Sequence, residues 1–274
     1  MRTAEIVWYS GTGHSYSLAK AAGEFLVSKG LDVSVSPARQ ALGRALSADL
    51  TLLAFPVYNW KLPPAIADYV KALPKAESPK RALAVVTMGG HAANTPFLLH
   101  KALAAKNVEL FDHALIRCRD SYIPFAKWLP FMDKRGLPNE ASFNALRDFL
   151  ARSLDPAAKK RKPFFNPVNP LHWIGAGTPI DGPLLFMGPR AFDKEACLGC
   201  GFCLTLCPAG ALSGSGSDLT WDRAKCQGCC TCINVCPKNA WRLPRFGADF
   251  YNKGRNVAEM VKILRKSGGE GRDA

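Results

Sequence analysis

Nine of the ten cysteines of this 274-residue chain fall between Cys197 and Cys236, and eight of them form two identical runs. Cys197-x2-Cys200-x2-Cys203-x3-Cys207-Pro208 is followed by Cys226-x2-Cys229-x2-Cys232-x3-Cys236-Pro237. Two-residue gaps let three thiolates of one short loop grip three irons of a 4Fe–4S cube. The proline after the fourth cysteine turns the chain so that this ligand reaches the other cube. The spacing therefore predicts one cluster on Cys197, Cys200, Cys203 and Cys236, and a second on Cys226, Cys229, Cys232 and Cys207. Zinc fits poorly, because a structural zinc site needs two separated ligand pairs and leaves the third cysteine of each run unused. Radical S-adenosylmethionine chemistry fails too: it needs a gap of three and then two, and Gly210 stands where its last cysteine would be. Cys118 and Cys230 read as small buried residues.

The second run repeats the first gap for gap, so Cys226 is the repeat mate of Cys197 in a duplicated unit whose module begins near Ala191. The chain before it has another character. Residues 4–9, 32–36, 49–55, 81–88 and 108–116 are β-rich runs, and helical spacing of apolar residues separates them around 14–26, 63–73 and 94–106, with a last helix at 139–153. Alternating β and α segments predict an α/β domain with a doubly wound, five-stranded parallel sheet over 1–154. Residues 155–190 carry the basic run Lys159-Lys160-Arg161-Lys162 and then Pro163, Pro167, Pro170, Pro179, Pro183 and Pro189. Such a segment excludes long helices and central strands. Its Phe164, Phe165, Trp173, Leu184, Leu185 and Phe186 need apolar cover, which predicts a connector packed between the domains. The expected order is thus 1–154, the connector 155–190, the cysteine module 191–245 and a tail 246–274.

Between the first strand and first helix lies Ser10-Gly11-Thr12-Gly13-His14-Ser15. Backbone N–H groups at a helix N-terminus form an anion site, and three hydroxyls suit a phosphate dianion. A dinucleotide fingerprint would need a third glycine at Tyr16 and an acidic residue after the second strand, where Ser36 and Pro37 stand. No Lys-Ser or Lys-Thr follows, so a Walker loop is excluded. A mononucleotide remains, and FMN is the one such a sheet commonly holds. Two more loops follow parallel strands, where this architecture places ligands: Pro56-Val57-Tyr58-Asn59-Trp60 and Gly89-Gly90-His91. Aromatic rings in the first can cover a flavin, and glycines in the second let backbone approach the ring edge.

With these motifs in place, nearly the whole chain resembles the flavodoxin-ferredoxin fusion proteins, a flavodoxin-like domain followed by a small α+β two-cluster ferredoxin domain. SGTGHS is similar to the flavodoxin phosphate loop, with His14 for a frequent Asn and Ser15 for a frequent Thr; FPVYNW and TMGGH are similar to its ring-binding loops. The resemblance implies phosphate contacts from Ser10, Gly11, Thr12, Gly13, His14 and Ser15, and ring contacts from Val57, Tyr58, Asn59, Trp60, Gly89, Gly90 and His91. It implies electron transfer between two 4Fe–4S clusters and FMN, to or from a redox partner. The alternative is an FMN-dependent reductase of a small organic substrate, with His91 as proton donor.

Charge bears on partners. The net +14 divides evenly, 19 basic against 12 acidic residues through Leu154 and 17 against 10 after it. Two oxidised clusters with their thiolates at about −2 each, and a flavin phosphate at about −2, would lower +14 to roughly +8. No nucleic-acid-binding motif accompanies the basicity, so the surface is read as docking to an acidic redox partner or serving a small-molecule acceptor. No stretch is long and apolar enough for a transmembrane helix, and Glu5 interrupts any signal core, which predicts a cytoplasmic protein. In the tail, Phe246, Phe250, Tyr251, Val257, Met260, Val261, Ile263 and Leu264 predict a short apolar-faced helix ending in Lys262, Arg265 and Lys266.

Overall fold

The five β-rich runs of the N-terminal half become the strands of one parallel sheet: β1 (Thr3–Trp8), β2 (Asp32–Pro37), β3 (Leu50–Pro56), β4 (Lys80–Met88) and β5 (Val108–Arg117). Their order, β2-β1-β3-β4-β5, is the flavodoxin-like order of a doubly wound sheet. β3 lies centrally and is buried from Leu50 through Phe55, as a strand covered on both faces must be. Helices α1 (His14–Ser28), α2 (Pro64–Ala72), α3 (Thr95–Ala104) and α4 (Glu140–Leu154) alternate with the strands. α4 shows how sequence specifies an end and a face. Asn139 accepts from the Ser142 N–H at 3.2 Å, and the Asn139 N–H donates to the Ser142 hydroxyl at 3.3 Å, a reciprocal cap. Leu146, Phe149, Leu150 and Ser153 then recur on the buried side.

This computed structural model describes residues 1–124, 136–178, 183–246 and 256–266. Its described residues form two compact units, the first built from Met1–Ser10, Ser15–Cys118 and Gly136–Gly177, the second from Thr178 onward with residues 119–124 and Gly11–His14. The expected boundaries differ from this division at three places, the first being Gly11–His14, which is grouped with the second unit. Residues 119–124 join the second unit because Ile123 is buried among Leu184, Met187, Cys230 and Ile233, and because Asn234 Nδ2 donates to the Ser121 carbonyl at 2.8 Å. The connector is divided: residues 155–177 belong to the first unit and 183–190 to the second.

Proline limits the connector to two short helices, α5 (Pro170–Gly177) and α6 (Pro183–Met187). Its aromatic residues are covered unequally. Phe165 meets Phe97 at a tilt and His172 edge to face, and Leu184 is buried, whereas Phe164 and Trp173 are 78% and 58% exposed and Phe186 is exposed too. Apolar cover was expected for all of them; the Trp173 indole N–H instead closes a local turn on the Pro167 carbonyl at 2.6 Å. Pro179, Phe250, Tyr251 and the Leu185 side chain lie outside what is described.

In the second unit β6 (Ala191–Phe192) pairs with β9 (Trp241–Arg242) and β7 (Leu212–Ser215) with β8 (Asp218–Trp221), both antiparallel. α7 (Phe202–Leu206) and α8 (Thr231–Val235) follow the first two cysteines of each run and carry the third, Cys203 and Cys232. The tail helix α9 (Val257–Lys266) buries Met260, Val261 and Leu264, and Arg265 Nη2 donates to the Cys200 carbonyl at 2.6 Å. The tail is therefore part of the cysteine module's own packing. No helix among the described residues is long and apolar enough to cross a membrane.

Two substitutions rank the forces holding the first unit. Leu53→Ala, in the fully buried part of β3, should cost about 2–5 kcal/mol. Asn139→Ala, which removes only the cap of α4, should cost about 1 kcal/mol. Urea unfolding followed by circular dichroism measures both, and an equal or larger loss for Asn139→Ala would contradict a core-dominated unit.

Candidate functional site

Among the described residues of the second unit, eight cysteines line two cavities, four in each. Cys197, Cys200, Cys203 and Cys236 line the first, with Phe192, Leu219 and Trp241; Cys207, Cys226, Cys229 and Cys232 line the second, with Arg190 and Leu212. The last cysteine of each run thus stands in the other run's cavity. Among the described residues no three or more His, Cys, Asp or Glu side chains are grouped to hold a metal ion. The thiols are spread around cavities, a setting suited to a polynuclear cluster and unsuited to one tetrahedral ion.

Backbone geometry repeats as the sequence does. Gly199 and Gly228, Gly201 and Cys230, and Gly210 and Asn239 are repeat mates, each pair separated as Cys197 is from Cys226, and all six have positive φ, from 53° to 67°. The Ala211 N–H donates to Cys207 Sγ at 3.3 Å and the Ala240 N–H to Cys236 Sγ at 3.2 Å, again one repeat apart. These loops need left-handed residues to turn three thiols inward, which glycine supplies most readily. Cys230 occupies the position that Gly201 fills in the first run. It is fully buried beside Met187, with its sulfur 3.9 Å from the Met187 sulfur, and lines neither cavity. Cys118, just after β5, is also buried.

Burial pushes the Cys203 thiol up to about 11 and the Cys230 thiol to about 12, and it raises Cys229 and Cys232 as well. The opposing influence in the second cavity is Arg190, whose Nη1 donates to Cys232 Sγ at 3.2 Å while its guanidinium lies 4.8 Å from the Trp221 ring centre. Its Nε and Nη2 are buried without a partner among the described residues. Burial alone would lower the arginine pKa, but Cys232, Cys226, Cys230 and Cys229 together hold it above the ordinary value. Orphaned cationic N–H groups in a cavity lined by four thiols fit a group that is itself anionic and rich in sulfur acceptors.

The other three loops follow β1, β3 and β4, and the first two flank the point where strand order reverses. Gly13 has φ of 90°, and Ser10, Thr12, His14 and Ser15 are buried. The Ser15 hydroxyl is bonded to the Thr87 hydroxyl at 2.8 Å, so it ties the start of α1 to the end of β4. After β3 the chain makes a tight reversal, with the Tyr58 N–H on the Lys61 carbonyl at 3.2 Å and the Lys61 N–H on the Tyr58 carbonyl at 2.9 Å. Its two central residues, Asn59 and Trp60, have φ of 48° and 55°, a pattern of type I′ turns and an uncommon one for tryptophan. Tyr9 and Tyr58 meet edge to face, hydroxyl to hydroxyl at 3.0 Å. Asn59 Nδ2 is buried and has no partner among the described residues. Gly89 and Gly90 are half-buried and His91 is exposed, its Nδ1 accepting from the Ala93 N–H at 2.8 Å; that bond places the neutral imidazole's proton on Nε2.

Sequence reasoning missed what supports these loops. Asn94 grips the connector backbone twice, donating to the Asn166 carbonyl and accepting from the Asn166 N–H, each at 3.0 Å. Gly175 of α5 lies against the Trp60 turn so closely that a Cβ there would stand 2.9 Å from the Asn59 carbonyl oxygen. Neither contact has a sequence signal beyond residue type. Arg190 was missed as well; the signal beside it is Phe192-Asp193-Lys194 ahead of the first run, which matches Trp221-Asp222-Arg223 ahead of the second in residue type and interval, so the duplication extends upstream of the first cysteine.

Residues 191–248 match the family described as the 4Fe-4S dicluster domain. No curated protein matches the chain. Solved structures similar to it include a flavodoxin from the domain Archaea, with 15% identity, a TM-score of 0.40, and coverage of 54% of this chain and 92% of that one. Others are the Megasphaera elsdenii flavodoxin, at 14%, 0.39, 54% and 98%, and the rubredoxin oxygen:oxidoreductase of Desulfovibrio gigas, at 12%, 0.41, 55% and 35%. By its strand order and its matched C-terminal segment, the chain joins a flavodoxin-like unit to a 4Fe–4S dicluster domain.

Replacing Gly175 by Val should push α5 off the Asn59–Trp60 turn. Amide hydrogen exchange at residues 58–61 and 170–177 should rise while residues 191–246 keep wild-type protection. Unchanged exchange at the turn would mean that the glycine is not required there.

Proposed function

We propose that this chain is an electron-transfer protein carrying two 4Fe–4S clusters and one FMN, exchanging electrons with a redox partner that presents an acidic face. The crossed division of eight thiols between two cavities is the observation that carries the reading. Cys197, Cys200, Cys203 and Cys236 would hold one cluster, and Cys207, Cys226, Cys229 and Cys232 the other. The flavin reading is supported by the strand-order reversal between β1 and β3, the left-handed Gly13 in the loop after β1, and the unpartnered Asn59 amide in the loop after β3.

When bound, the clusters supply one-electron chemistry and the flavin one- or two-electron chemistry. The chain's residues supply position and field. Backbone N–H groups and hydroxyls of Ser10–Ser15 would hold the phosphate, Val57–Trp60 would cover the ring, and Gly89–His91 would meet its edge. Ser15, bonded to Thr87, fixes the phosphate loop against the strand that carries the third loop. His91, exposed and with Nδ1 engaged, would offer a hydrogen bond through Nε2.

Chain purified without oxygen should contain about eight iron and about eight acid-labile sulfide, four of each per complete cysteine set. Cys236→Ala should damage the cluster of the first run while sparing that of the second. About four irons in the wild type, or selective loss of the second run's cluster in the variant, would overturn the ligand assignment.

The flavin should be released intact by mild acid and have the mass of FMN. Thr12→Asp places a like charge beside the phosphate, at a cost on the order of 1–4 kcal/mol at about 4 Å, so flavin affinity should fall while iron content stays. FAD, or no flavin from riboflavin-replete cells, would sink the FMN assignment. Saturable turnover of an organic acceptor by the holoprotein would replace the carrier reading with that of a reductase.

A further inference from the structure

We infer that Arg190 makes the cluster in the Cys207, Cys226, Cys229 and Cys232 cavity the more readily reduced of the two, so that the first electron entering the dicluster unit resides there. The inference rests on the two-cluster reading above and adds an order of reduction to it.

The duplication makes the two cavities a natural comparison. Repeat mates carry the same backbone signs, the same helix limits and the same N–H to sulfur bonds. Paired lining positions differ in polarity at Leu198 and Gln227 and at Phe202 and Thr231, and in charge at Lys238 and Ala209, where the lysine is exposed; Arg190 and Leu219 set a cation with buried N–H groups against an apolar side chain. Arg190 lines the second cavity, and its repeat mate Leu219 lines the first. Arg190 donates from Nη1 to Cys232 Sγ at 3.2 Å, and its Nε and Nη2 are buried with no acceptor among the described residues. Trp221 lies beside the guanidinium and restricts where those donors can point.

Reduction adds one negative charge to a cluster. A fixed cation and N–H donors to its sulfurs stabilise the reduced form more than the oxidised form, which raises the reduction potential. Desolvation amplifies this, because the same charge pair interacts several-fold more strongly in a protein interior than in water. The first cavity has a cation at its rim, Lys238, and a neutral donor, the Trp241 indole N–H; Arg265 stands behind it on the Cys200 carbonyl. Lys238 and Arg265 are exposed and their charges are screened, and the indole carries no charge. The cavities therefore differ by one buried positive charge. In the balanced step, a low-potential one-electron donor is oxidised and the Arg190-side cluster gains its electron; the Leu219-side cluster is reduced second, at a more negative potential.

The test is an anaerobic redox titration of the full chain, with a dithionite-poised mediator mixture and electron paramagnetic resonance detection. Wild type should show two one-electron waves. Arg190→Leu, which copies the repeat mate, should lower the more positive wave and leave the other in place. The expected shift is about tenfold in the reduced-to-oxidised ratio at fixed potential, or about 59 mV for one electron. Leu219→Arg should raise the more negative wave. Arg190→Lys, which keeps the charge and loses the fork, should give a smaller downward shift of the same wave. No movement in Arg190→Leu, movement of the more negative wave in that variant, or no rise in Leu219→Arg overturns the inference. Iron and sulfide analysis of the same samples separates the two claims: a wild type far below about eight irons defeats the two-cluster reading itself. If Arg190→Leu alone loses iron, Leu219→Arg and Arg190→Lys decide the question.

Discussion

The crossing of the fourth cysteine between runs is the constraint on which the second unit depends. Cys207 leaves α7 and lines the cavity of the second run, and Cys236 leaves α8 and lines that of the first. Neither run can complete four ligands by itself, so the two halves must come together before either cavity exists. The surrounding apolar core is small and counts several cysteines among its members, with Ile233, Trp241, Leu243 and Phe246 as its larger residues. A module of this size needs more than burial to be stable, and under the proposed ligand assignment cluster bonds tying both halves together would provide it.

The first unit is stabilised differently. Its sheet buries continuous apolar strands between helices, and its loops are free to carry chemistry at the carboxyl ends of those strands. The Asn59–Trp60 turn adopts a backbone that tryptophan rarely takes, and α5 packs on it through Gly175, where any side chain would collide. With the two bonds between Asn94 and Asn166, this makes residues 155–177 a brace for two of the three candidate flavin loops. Strain held in place by a neighbouring element is what a preorganised binding loop requires.

Duplication explains both the order and the asymmetry of the dicluster unit. Matching positions such as Gly199 and Gly228 keep the loop geometry constant, while Arg190 and Leu219 show where the copies have diverged in charge. The same comparison accounts for Cys230. It stands where Gly201 does in the other copy and is buried against Met187, outside both cavities.

Local pattern determined a large part of this protein. Five strands and four helices of the first unit were legible because their signal, apolar periodicity, acts within a few residues, whereas Asn139, read as the first residue of a helix, is its cap. The grouping of the eight cysteines was legible because gaps of two and three residues restrict where thiols can point. What the sequence left undetermined were pairings across long separations: Ile123 with the core of the second unit, Gly175 with Asn59, Asn94 with Asn166, and the fate of Phe164 and Trp173, whose apolar character suggested cover they do not have. Arg190 lay in a stretch read as connector, and its role emerged only when folding placed its guanidinium against Cys232. Short-range sterics and periodicity are written residue by residue, whereas which distant surfaces meet depends on the packing of the entire chain, and only the tertiary structure decides it.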